Sequence, residues 1–120
     1  MMCVVDFDPP DFIAHTWRHA RKPHRCCECD EPIAPGTRYE YTAGSWSGKI
    51  DTFRRCEWCV ELAAAVFEAD CSWCYESLLD DARATLDSWE HAAEHPEAVG
   101  RVAGVLRRIA ERQLDRARAA

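Results

Sequence analysis

Two cysteine pairs, Cys26-x-x-Cys29 and Cys56-x-x-Cys59, separated by 26 residues, constrain this chain more than any other feature. A two-residue spacer lets both sulfurs of a pair face one point, and four thiolates at about 2.3 Å complete a tetrahedral metal site with no open position. Cys26, Cys29, Cys56 and Cys59 are therefore the expected ligands of one structural Zn2+. The rest of the composition makes such a staple useful. Leu, Ile, Val and Phe supply only 21 of 120 residues, whereas alanine supplies 18. Aliphatic burial alone thus gives a thin core, and the five Trp and eight Cys must compensate. Asp6, Asp8 and Asp11 stand where a signal peptide needs basic residues and then an apolar run, and no stretch reaches membrane-spanning length. A cytoplasmic protein without a membrane partner is expected, and in a reducing compartment closely spaced cysteines bind metal sooner than they form disulfides.

At this length a single domain over residues 1–120 is expected, with an N-terminal arm (1–17), a zinc module (18–70) and a helical extension (71–120). After the first cysteine pair, Pro35-Gly36 marks a turn, and Thr37 to Thr42 alternates aromatic and polar residues. Gly44 to Gly48 reads as a loop and Ile50 to Arg54 alternates again, which predicts a β-hairpin. Alanine-rich sequence from the second cysteine pair to Asp70 predicts a helix whose N-terminal dipole favours thiolate. This order of knuckle, hairpin and helix resembles a treble-clef zinc finger. Two amphipathic helices should follow. One carries Leu79, Ala82, Leu86, Trp89 and Ala93. The other starts at Pro96, with Val99, Val102, Leu106, Ile109 and Leu114 as its apolar stripe and Gly100 and Gly104 as weak points or close-approach sites. The fold class is α+β: a small zinc-stabilised, treble-clef-like module bearing two further helices. The last helix is expected to lie on the acidic one, pairing Arg101, Arg107, Arg108 and Arg112 with its carboxylates, in a monomer or a homodimer.

A more specific likeness runs from residue 18 to residue 60. The segments Ala20-Arg21-Lys22-Pro23-His24-Arg25-Cys26-Cys27-Glu28-Cys29, Ile33-x-Pro35-Gly36-x-Arg38-Tyr39, Gly44-x-Trp46-x-Gly48 and Asp51-Thr52-Phe53-x-x-Cys56-x-x-Cys59 resemble a family of small uncharacterised proteins encoded by bacteriophages and prophages. The resemblance implies a phage-derived zinc-binding protein and transfers no activity and no catalytic residue.

The remaining thiols and imidazoles leave alternatives open. Cys71-x-x-Cys74 either packs as free thiols beside the first site, shares a second ion with Cys3 and Cys27, or acts as a thiol redox pair. A Cys2His2 site with His91 and His95 is disfavoured if residues 76–94 form one helix, because His91 then lies about 25 Å along the axis from Cys74. His15-x-x-x-His19 reads as solvated.

No His-Glu-x-x-His helix, phosphate-binding glycine loop or nucleophile elbow occurs, and residues 37–69 lack the histidines that treble-clef nucleases place there. A four-thiolate site is closed to substrate, so no enzyme is expected. Charge is unevenly spread: residues 60–98 sum to −9, against +2 for residues 16–59 and +4 for residues 99–120. The acidic block, with Glu76, Asp80, Asp81, Asp87 and Glu90, suits a basic host protein, and this is the leading functional expectation: an accessory protein that binds, and so inhibits or redirects, a host factor. Trp46, flanked by small residues at the hairpin tip, is the expected anchor or else a lid on the zinc knuckle. The rival is a nucleic-acid-binding regulator using Arg18 to Arg25 with Arg54 and Arg55.

Overall fold

Alternating residues between the cysteine pairs form the two hairpin strands in the computed structural model, which describes residues 12–70 and 75–119. Strand β1 spans Phe12–His19, and the short β2 (His24–Arg25) and β3 (Pro32–Ile33) pair with each other. Strands β4 (Arg38–Trp46) and β5 (Lys49–Cys56) form the hairpin. The chain continues through helices α1 (Glu57–Asp70), α2 (Leu78–Asp87), α3 (Trp89–Glu94) and α4 (Pro96–Ala119). The larger sheet is antiparallel in the order β1-β4-β5.

Three expectations require correction here. Residues 12–17 are not the end of an arm: they belong to β1, with Trp17 opposite Glu40 and Arg18 opposite Tyr39. Nothing in the sequence signals this strand, because nearly all its side chains face solvent and no inside-outside alternation exists. The hairpin loop is shorter than Gly44–Gly48. Trp46 pairs with Lys49, and the connection is Ser47-Gly48, both at positive φ (52° and 80°), the two-residue turn whose twist matches its strands. The acidic helix is two helices. Ser88 leaves helical geometry and its hydroxyl accepts from the His91 N–H at 3.4 Å, capping α3. The axial-distance argument about His91 therefore no longer applies, while Cys3, Cys71 and Cys74 lie outside the described residues.

One buried cluster joins the knuckle (Cys26, Cys29, Ile33) to Tyr39, to Leu62, Ala65 and Val66 of α1, to Leu78 and Ala82 of α2, and to Val102, Val105 and Ile109 of α4. Alanines at the helix contacts let backbones approach where larger residues are scarce. The seam of α4 is Ala98, Val102, Val105 and Ile109, and that of α2 is Leu78, Ala82 and Thr85. Leu86, Ala93 and Leu114, expected on these seams, are exposed. Helix α4 also pairs with a different partner than expected: Arg108 reaches Glu61 at 3.0 Å and Arg101 bonds Glu68, both on α1. Gly100 and Gly104 face open space, since an added Cβ meets nothing within 4 Å at either position. Close approach is not their role. Replacing both by Ala should raise unfolding stability by about 1–2 kcal/mol, read from urea melts; a loss would mean that this face of α4 is covered.

Candidate metal centre and basic groove

The turn between β2 and β3 carries the first cysteine pair. Its N–H of Cys26 donates to the Glu31 carbonyl and that of Asp30 to the Cys26 carbonyl, with Asp30 at φ 59° completing the reversal. The second pair straddles the end of β5 and the first turn of α1, so Cys59 stands where helix N–H groups are unpaired. The Cys27 N–H donates to the Arg54 carbonyl, which ties the knuckle to β5 and brings the pairs together. Cys26, Cys29, Cys56 and Cys59 are all buried, with sulfurs within 4.8 Å of one another. The Cys29 and Cys56 sulfurs are 3.8 Å apart. A tetrahedron with metal–sulfur bonds of about 2.3 Å has sulfur–sulfur edges of about 3.8 Å, whereas a disulfide needs about 2.05 Å. The four residues therefore fit one bound metal ion.

The four thiols perturb one another strongly. Hydrogen bonding from Cys29 first, then from Cys59, pulls the Cys26 thiol down to about 6. Cys56 is depressed further, chiefly by its bond with Cys26, while the contacts with the other sulfurs and burial push Cys29 and Cys59 up. Four buried thiols cannot all ionise without a cation among them. Cys27 is different: burial, then the Glu28 charge, raises its thiol to about 12, so it is protonated and unreactive at neutral pH.

The shell around the sulfurs comes from far away in sequence. The Cys56 N–H lies 3.4 Å from the Cys26 sulfur, and Arg112 Nη2 of α4 lies 3.7 Å from the sulfurs of both Cys29 and Cys56. Gln113 donates to the Cys29 carbonyl at 3.0 Å, and buried Glu31 pairs with Arg116 at 3.0 Å. Arg112, Gln113 and Arg116 thus latch α4 onto the knuckle, and cationic Arg112 offsets thiolate charge. Sequence reasoning gave Arg112 to the carboxylates of the acidic helix and overlooked Gln113, Arg116 and Glu31, because no local pattern predicts a contact across 83 positions.

Of the expected interaction residues, Trp46 and Arg55 are placed otherwise. Trp46 lies back along its own strand: a Cβ on Gly44 would clash with its ring, and it meets Phe53 edge-on at 5.8 Å. Its ring is half-buried and packs on its own hairpin. Arg55 is 7% exposed and bound to Glu28, whose carboxylate takes Nη2 at 2.6 Å and Nε at 2.8 Å. The Tyr75 ring lies 4.1 Å beneath its guanidinium.

Arg54, by contrast, joins the basic segment. With Trp17, Arg18, His19, Ala20, Arg21, Lys22, His24 and Tyr39 it lines a groove of about 920 Å³. Burial, aided by the charges of Arg54 and Lys22, lowers the pKa of His24, as expected for an imidazole in a positive field. No family model, curated protein or solved structure matches the chain. Among the described residues, no helix is long and apolar enough to cross a membrane.

Proposed function

We propose that this chain is a zinc-stabilised, treble-clef-like binding protein whose ligand is nucleic acid, held in the basic groove beside the metal module. The groove carries this reading: four of its nine lining residues are Arg or Lys, two are His, two are aromatic and none is acidic, in a chain of net charge −6. Positive charge gathered on one concave surface is the electrostatic footprint of phosphate-backbone binding. Zinc is the ion best suited to four thiolates, and a closed site gives it a structural role. On the likeness of residues 18–60, the setting is a bacterial cytoplasm, where the protein serves a phage or prophage.

A second reading, binding of a basic host protein, is supported by the exposed carboxylates of Asp80, Asp87, Glu90 and Glu94 along α2 and α3. It ranks below the first because its expected anchor, Trp46, lies against its own hairpin. Fluorescence anisotropy with labelled DNA across a salt series separates the two. Affinity should fall as salt rises, and Arg21→Ala with Lys22→Ala should weaken binding to all sequences and reduce the salt slope by about 2. Affinity that is absent at low salt would discard the groove reading and leave the acidic face.

A further inference from the structure

We propose that the outer edge of β1 is a dimer interface, and that its occupant is the same edge of a second copy of this chain. Among the described residues the sheet ends at β1, which pairs with β4 without interruption from Phe12 to His19. All its side chains except Ile13 are exposed. Edges that stay unpaired in monomers are blunted by proline, by a bulge or by a charge aimed at the incoming strand. β1 has no proline and no bulge. Its one arginine, Arg18, lies over Tyr41 of the neighbouring strand, 3.8 Å from the ring centroid, rather than across the open edge. The strand also exposes two large aromatic rings, Phe12 at 55% and Trp17 at 42%.

The order of residues along β1 suits a second copy in particular. Register with β4 and β5 places Phe12, Thr16 and Arg18 on the sheet face of Tyr41 and Arg54, and Ile13, His15 and Trp17 on the face of Glu40 and Arg55. A two-fold axis perpendicular to the sheet makes the two β1 strands antiparallel, keeps both faces, and pairs odd-numbered residues with odd and even with even. With the axis at His15, Phe12 meets the second copy's Arg18 on one face, and Ile13 meets its Trp17 on the other. A ring against a guanidinium and an aliphatic chain against an indole are favourable cross-strand pairs, and no two arginines or acids are opposed. A cavity of about 300 Å³ opens beside Ile13, lined also by His15, Ala63, Ala64 and Phe67, the last 48% exposed. The second copy's Trp17 lies at its mouth, so one contact covers both exposed rings of that face. The joined sheet has six strands and carries Arg18 and Arg54 of both copies on the same side. Dimerisation by this edge is independent of what the groove binds. A ladder of this length falls at the small end of specific interfaces, so the dimer should dissociate in the micromolar range.

Analytical ultracentrifugation of the metal-loaded full chain from about 1 µM to about 500 µM should show a concentration-dependent equilibrium of monomer and dimer. Phe12→Lys sets a like charge against Arg18, twice per dimer, and should weaken association at least about tenfold. Phe12→Glu opposes Arg18 with a carboxylate and should stay within about threefold of wild type. His15→Cys should give a disulfide-linked dimer on mild oxidation, because residue 15 faces its own copy with Cα atoms about 4.5–5.5 Å apart, within disulfide range. Phe12→Cys, about 20 Å from its copy along the strand, should cross-link no more than wild type. Unchanged thermal melts of each variant keep these effects separate from misfolding. A wild type that stays monomeric up to about 500 µM overturns the proposal. So does a dimer that Phe12→Lys leaves intact, or one in which His15→Cys cross-links no better than Phe12→Cys.

Discussion

Cys59→Ser is expected to abolish metal binding and unfold the protein. Cys59 is fully buried between the end of β5 and the first turn of α1, where its sulfur meets those of Cys26, Cys29 and Cys56. Structural zinc contributes on the order of 10–16 kcal/mol of apparent binding free energy in small modules, against a total stability of about 5–15 kcal/mol for a domain. Few large side chains stand in reserve. Among the described residues the large aliphatics that are fully buried are Ile33, Leu62, Val66, Val102, Val105 and Ile109, and four of them, Ile33, Val102, Val105 and Ile109, belong to the knuckle and the helix latched to it. Metal analysis should find about one zinc per wild-type chain and none in the variant, whose far-ultraviolet circular dichroism and melting transition should collapse together. Chelation of the wild type should do the same. Because Arg112 and Gln113 hold α4 to the cysteine turn, α4 should lose hydrogen-exchange protection as metal leaves. A wild type that folds cooperatively without metal would refute the structural role assigned to the site.

The second large effect is expected at Glu28. Its side chain has no solvent exposure, and its carboxylate accepts from Arg55 twice and from the backbone N–H groups of Glu76 at 3.1 Å and Leu78 at 3.2 Å. Ser77, the residue at the start of α2, makes no side-chain cap of its own. A carboxylate from the cysteine turn therefore does the capping from 50 positions away, while holding Arg55 beneath the sheet. Removing one member of a buried ion pair leaves the other charged and unsolvated, which costs about 3–5 kcal/mol. Glu28→Gln keeps the shape and should lower stability by that amount in urea unfolding of the metal-loaded protein. Glu28→Leu with Arg55→Met should recover only part of the loss, because the N–H groups of Glu76 and Leu78 stay unpaired. A variant within about 1 kcal/mol of wild type would mean that Arg55 finds water or another acid.

The sequence by itself determined which four cysteines meet at the candidate metal centre, the hairpin and the positions of α1 and α4. Each of these rests on local rules: two-residue cysteine spacing, period-two alternation, alanine propensity and a proline at a helix start. Only the tertiary structure decided what surrounds them. Strand β1 exists because β4 offers it an edge, and its exposed side chains carry no signature of that pairing. Arg54 and Arg55 are neighbours of equal charge, yet strand alternation sends one to the basic groove and the other to a buried carboxylate. Trp46 looked free in a run of small residues because the space its ring fills is the one that Gly44 leaves. Glu28, Glu31 and Arg112 carry no local pattern, since their partners lie up to 85 positions away and electrostatic contact depends on distance through space rather than along the chain.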